Sequence, residues 1–105
     1  MEQTVNDIMT KLYDELKAIW DKYHDLPKYS YSKSDVCALC CHLQECVRFA
    51  CNSDEIVWNN LHSLDNELDM MWKTILIFPE STKWSKNDVI TLINGTVETV
   101  RIFKE

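Results

Sequence analysis

Residues 5–23 read VNDIMTKLYDELKAIWDKY, and this stretch decides the fold. Apolar side chains recur along it at steps of four, three, four, three and four residues: Val5, Met9, Leu12, Leu16, Ile19 and Tyr23. Because an α-helix turns once in about 3.6 residues, this spacing predicts an amphipathic helix of about six turns. Asp7, Asp14 and Asp21 fall on its other side, which we expect to face water.

The same order of steps returns in residues 57–75, at Val57, Leu61, Leu64, Leu68, Met71 and Ile75. Shorter apolar stripes of the same period occupy residues 36–51 and 89–103. With one glycine and two prolines, the chain lacks the turn residues that a sheet-rich fold of this length uses. We therefore predict helices over residues 4–24, 34–51, 54–77 and 86–104.

Start and stop signals separate most of these stripes. Pro27 and Pro79 disfavour helical geometry in the residues before them, so each marks a loop. The segments Ser32–Asp35 and Ser85–Asp88 have the spacing of a capping box, which predicts that a helix begins at each. Ser34 is an alternative N-cap for the second helix.

The boundary between the second and third helices has the weakest signal. Asn52 is suited to follow a helix and Ser53 to cap the next one. The two apolar stripes lie only about 40° apart on one helical wheel, however, so a single helix over residues 35–77 is an open alternative. Such a helix could not pack on itself and would require a partner chain or a swapped dimer.

The matched helix lengths and short connections predict an all-α, four-helix, up-down-up-down bundle, which dimerisation could complete or extend. Its size indicates a single domain over residues 1–105. Gly95 interrupts the fourth helix, where glycine costs about 1 kcal/mol relative to alanine. We expect it to mark a close helix approach or a bend.

The charge balance favours some partners over others. Eleven Lys and Arg against seventeen Asp and Glu give a net charge of −6, and the excess of acids lies in residues 1–25 and 53–79. No basic patch is present to hold a phosphate backbone, so we expect no direct nucleic-acid binding. An acidic surface instead favours a basic protein partner.

The chain shows neither a membrane segment nor a secretory signal, so we expect a soluble, cytoplasmic protein that makes no membrane contact. Its five cysteines, an odd number crowded into residues 37–51, are more typical of reduced thiols than of disulfides.

The segment Cys37–Cys51 also holds the candidate metal ligands Cys37, Cys41, His42 and Cys46. Cys37 with Cys41, or His42 with Cys46, has the spacing of a ligand pair on a helix, but another helix or subunit would have to complete the site. We favour core packing of the cysteines, with no metal and no cofactor. A metal-binding or thiol-sensing bundle is the alternative function.

No catalytic pattern is recognisable. The chain has no P-loop, dinucleotide fingerprint or nucleophile elbow, and a single glycine cannot build a loop that cradles phosphate. His62, Asp65 and Asp69 share one helix face, which we interpret as a solvated polar surface. We therefore predict no catalytic residues and no enzymatic activity.

The sequence is most typical of a protein that binds another protein, as an inhibitor, adaptor, immunity-type neutraliser or small complex subunit. Phage or viral counter-defence is a compatible setting, and we expect a homo-oligomer. The expected steering residues are Asp14, Asp21, Asp65 and Asp69, and the expected anchors are Tyr31, Trp58, Met70 and Trp84. The alternative for the loop aromatics is that they fold back over the core.

Overall fold

Four α-helices packed against each other form the predicted all-α bundle in the computed structural model, which describes residues 4–104. The elements are α1 (Val5–Asp25), β1 (Ser30–Ser32), α2 (Lys33–Ser53), α3 (Glu55–Ile77), β2 (Lys83–Ser85) and α4 (Lys86–Lys104). The predicted helix bounds differ from these by two residues at most. The predicted domain limits at positions 1 and 105 lie outside the described residues.

A short antiparallel ribbon pairs β1 with β2 at one end of the bundle. Since β1 leads into α2 and β2 into α4, both helices begin at that end, and the chain runs up-down-up-down. Tyr31 lies opposite Trp84, and the Lys86 amide donates to the Tyr29 carbonyl at 3.1 Å. The sequence predicts loops at both segments and gives no signal for the strands, because strands of three residues are too short to show a period.

Capping boxes begin three of the helices. Ser32 caps α2: its Oγ accepts from the Asp35 amide at 3.2 Å, and Asp35 Oδ2 accepts from the Ser32 amide at 3.1 Å. This arrangement confirms the capping box and rules out Ser34 as the cap. Ser85 and Asp88 make the same reciprocal pair before α4, as predicted. Thr4 caps α1 in the same way, which the sequence analysis did not identify.

One extended residue, Asp54, separates α2 from α3 (φ −161°, ψ 138°), so the alternative of a single long helix is wrong. Its Oδ1 accepts from the amides of Ile56 and Val57 at 2.7 and 3.3 Å. The prediction of Ser53 as the cap is also wrong. Ser53 Oγ instead donates to the Phe49 carbonyl one turn back at 2.8 Å, which keeps Ser53 inside α2.

The core is built from the predicted stripes, and Leu16, Leu43, Leu61 and Ile93 are fully buried in it. The packing is uneven around the bundle: α2 lies closely against α3 and α1 against α4, whereas α3 and α4 touch each other much less. Met71, a member of the third stripe, consequently reaches the surface beside α4.

Gly95 does not make a close helix approach, one of the two features, with a bend, that its position predicts. It has no positive φ, and a Cβ built on it would meet no atom within 4 Å. Nothing within the described residues therefore requires a glycine there.

We expect Gly95→Ala to raise the free energy of unfolding by about 1 kcal/mol, because alanine has the higher helix propensity and its methyl group meets open space. Urea denaturation followed by circular dichroism measures the change. Ala18→Gly, on the exposed side of α1, is the matched control and should lower stability by a similar amount. A Gly95→Ala variant less stable than the wild type would contradict the finding that a Cβ at position 95 meets open space.

Candidate partner-binding surface

Exposed apolar side chains are concentrated on α3. Among the described residues, eleven large apolar side chains are exposed, and α1 carries none of them. Seven belong to α3 and the residue after it: Ile56, Trp58, Met70, Met71, Leu76, Ile77 and Phe78. Scattered exposed apolar residues are ordinary, but α3 carries more of them than any other element of the described chain.

Two of the expected anchors, Trp58 and Met70, lie on this exposed part of α3. Met70 is 68% exposed. Trp58 is 48% exposed, and its ring stacks on that of His62 with the centroids 4.3 Å apart. His62 Nδ1 also donates to the Trp58 carbonyl at 2.9 Å, so the indole is held in place while one face stays available. A preorganised aromatic side chain loses little conformational entropy on binding.

The other two expected anchors, Tyr31 and Trp84, differ from each other in their exposure to solvent. Tyr31 is only 3% exposed and packs with its ring 5.9 Å from that of Tyr23, so it folds back over the core. Trp84 is half-buried, and its ring lies 5.7 Å from that of Phe78. Tyr31 is thus unavailable to a partner, whereas Trp84 is accessible at the mouth of a groove.

This groove runs between α3 and α4, where the two helices separate. Two adjoining cavities of about 340 and 310 Å³ form it, and both are lined by Met71, Thr91 and Leu92. Trp84 lines one half and Gly95 the other. We call this feature the α3–α4 groove.

The remaining expected acids on α3 are held in an intramolecular network centred on Gln44, a buried residue of α2. Gln44 Nε2 donates to Asp65 Oδ1 and Asp69 Oδ1, each at 3.1 Å. Its Oε1 accepts from Trp72 Nε1 at 2.9 Å. A buried polar side chain is stable only when its groups are paired, and all of these partners belong to α3.

Two basic residues complete this network. Arg48 Nε lies 3.4 Å from Asp65 Oδ2, and Lys73 Nζ lies 2.7 Å from Asp69 Oδ2. The Lys73 ammonium and the Gln44 amide lower the pKa of Asp69. Both carboxylates are therefore engaged within the bundle, where they help to hold α3 against α2.

The expected acids on α1 are arranged differently. Asp14 and Asp21 are both exposed, and Asp21 makes a long contact of 3.6 Å with Lys17. Exposed pairs of this kind contribute little to stability, so these acids are available to attract a basic partner.

The cysteines of α2 are all free thiols, and most have a raised pKa. Burial raises the pKa of Cys40 to about 12 and that of Cys51 to about 11. Burial also raises the pKa values of Cys37 and Cys46. A raised pKa lowers the fraction of thiolate, the form that reacts and binds metal.

The four candidate metal ligands do not form a cluster. His42 is exposed, Cys41 is half-buried, and the Cys37 thiol donates to the Trp72 carbonyl at 3.8 Å. Within residues 4–104, no three His, Cys, Asp or Glu side chains are grouped so that they could hold a metal ion.

Comparison of the chain with protein-family models, curated proteins and solved structures gave no match. In the part of the chain that the structure describes, no helix is both long and apolar enough to cross a membrane.

We expect Gln44→Met to lower the free energy of unfolding by about 2 kcal/mol, because it leaves the Trp72 indole N–H and two carboxylates without their amide partner. Urea denaturation measures the loss. Glu45→Met, a change at the exposed neighbouring position, should alter stability by less than about 0.5 kcal/mol. Equal stability of the two variants would show that the network is not structural.

We expect the thiols of Cys40 and Cys51 to react with a disulfide reagent only when the protein unfolds, because their raised pKa values leave almost no thiolate at pH 8. Thiol counting in buffer and in urea tests this. Cys40→Ala and Cys51→Ala should each lower the count in urea by one and leave the rapidly reacting native count unchanged. A lower number of rapidly reacting thiols in either native variant would contradict the burial of the cysteine that was replaced.

Proposed function

We propose that this chain is a non-enzymatic protein that acts by binding another protein through the exposed apolar surface of α3. The observation that carries the proposal is the concentration of seven exposed apolar side chains on that helix and the residue after it. Tryptophan and methionine are enriched in protein interfaces, where they fill pockets on the partner. Covering these side chains would remove apolar area from water and stabilise the complex.

The charge of the chain supports a basic partner. Its net charge is −6, and Asp14 and Asp21 are exposed on α1. Opposite charges accelerate encounter, whereas the desolvated apolar anchors on α3 would supply most of the affinity. A small rigid bundle of this kind would act by occlusion or scaffolding, as an inhibitor, adaptor, immunity-type neutraliser or complex subunit, and phage or viral counter-defence is one such setting.

The five free cysteines are compatible with action in the reducing cytoplasm. The alternative function, a metal-binding or thiol-sensing bundle, has less support because burial raises the pKa values of four of these thiols. Stoichiometric zinc in protein purified without chelator would favour that alternative. Self-association stays a prediction, which light scattering of the purified chain tests.

Affinity capture from native cells with matched variants tests the proposed function. Met70→Ser combined with Ile77→Ser removes two apolar side chains that are 68% and 83% exposed, so the core is left intact. The control combines Tyr29→Ser with Phe49→Ser, which removes equally exposed side chains outside α3.

We expect at least one protein to be retained by the wild type and the control and lost with the α3 variant. Calorimetry with that purified partner should show that the α3 variant binds it at least about tenfold more weakly than the wild type. Retention of no protein at low salt, or equal retention by both variants, would overturn the proposal.

A further inference from the structure

We propose that the α3–α4 groove receives a basic amphipathic helix of the partner, with an apolar stripe of about three turns flanked by Lys or Arg. This inference rests on the proposed function and specifies the chemistry of the partner. It follows from the shape, the length and the charge of the groove.

The shape of the groove allows it to receive the apolar side chains along one face of a partner helix. Its walls are the facing sides of α3 and α4, Val36 of α2 and Trp84 of β2 also line it, and its two halves hold about 340 and 310 Å³. Leu68 and Val89 form part of the buried lining, while Met71 and Trp84 are accessible at the surface. Apolar side chains entering from outside would therefore meet apolar side chains.

The length of the groove matches a helix. On α4 the lining extends from Asp88 to Thr99, and the eleven rises of about 1.5 Å between these two residues span about 17 Å. A helix lying in such a groove inserts one side chain every three or four residues. Three turns of a partner helix would fill the distance.

Gly95 makes room for close approach. It lines the groove midway between Thr91 and Thr99, and a side chain built on it would meet open space. A glycine in a helix lowers stability relative to alanine, and no contact within the described residues offsets that loss. An incoming helix could pack its backbone close to α4 at this point.

The charge of the groove selects a basic helix over a second copy of the chain. Among the described residues that line it, the charged ones are Glu67 and Asp88, and both are acidic. Asp88 also caps α4, while Glu67 makes no ion pair with any other described residue. A second copy would bring two such acidic rims together in molecules of net charge −6, whereas Lys or Arg would complement them.

Binding of a model peptide to the full chain tests this inference. The probe is a fluorescein-labelled peptide of about 18 residues with leucines at helical spacing and lysines elsewhere, long enough to form a helix. A second peptide carries glutamate at every lysine position. Fluorescence anisotropy at low salt measures the affinity of each peptide for the wild type and four variants.

Two variants alter the groove and two are matched controls. Gly95→Leu fills the open space, and Glu67→Lys reverses the charge of the rim. Ala18→Leu on α1 and Glu45→Lys on α2 make comparable changes at exposed positions that do not line the groove. Circular dichroism verifies that each variant is folded.

We expect the lysine peptide to bind the wild type at least about tenfold more tightly than the glutamate peptide. Gly95→Leu and Glu67→Lys should each weaken lysine-peptide binding about tenfold, and the controls should bind like the wild type. Equal binding of both peptides, or equal loss in Glu45→Lys and Glu67→Lys, would overturn the inference. A wild-type dimer that Gly95→Leu converts to a monomer would also overturn it, because a second copy would then occupy the groove.

A result that overturns the groove inference can be distinguished from one that overturns the proposed function. If a native partner is lost with the Met70→Ser and Ile77→Ser variant but binds Gly95→Leu normally, the proposed function holds and the groove inference is wrong. If the peptide binds as expected but no native partner is captured, the preference of the groove for a basic helix stands, whereas the proposed function and the native partner helix inferred from it are wrong.

Discussion

The hydrogen bonds of the buried Gln44 side chain fix the register and rotation of α3 against α2. This side chain reaches across from α2 to two carboxylates and an indole N–H of α3, so the two helices have one register in which all of these groups are paired. A rotation or shift of α3 would leave buried polar groups unpaired, which costs more than the loss of an exposed contact. The direction in which the remaining side chains of α3 point, including the exposed apolar ones, follows from this constraint.

The bundle itself could be predicted from the sequence because its signals are local. Apolar periodicity identifies four helices, and the segments Ser32–Asp35 and Ser85–Asp88 identify where two of them begin. The helix break at Asp54 was placed one residue too early, because serine and aspartate are equally good caps. The choice between them depends on the Ser53 hydroxyl, which bonds to the Phe49 carbonyl.

The candidate site could be predicted only in part, because burial depends on contacts that are distant in sequence. Met70 and Trp58 are exposed, but Tyr31 is buried in the core beside Tyr23, at a point where the ribbon sets it opposite Trp84, a residue more than fifty positions away. The acids of α3 look alike in the sequence, yet Gln44 and two basic residues engage Asp65 and Asp69. The groove was not predicted at all, because it depends on the spacing between α3 and α4.

The ribbon of β1 and β2 has a consequence for the order in which the chain folds. The contacts between α2 and α3 are close in sequence and follow a one-residue turn, so little chain entropy is lost when they form. The ribbon joins segments more than fifty residues apart, and the Lys86 ammonium adds a bond to the Leu26 carbonyl at 2.8 Å. We expect the hairpin of α2 and α3 to form first, as the folding nucleus. The ribbon of β1 and β2 should pair late, after α1 and α4 have packed against that hairpin.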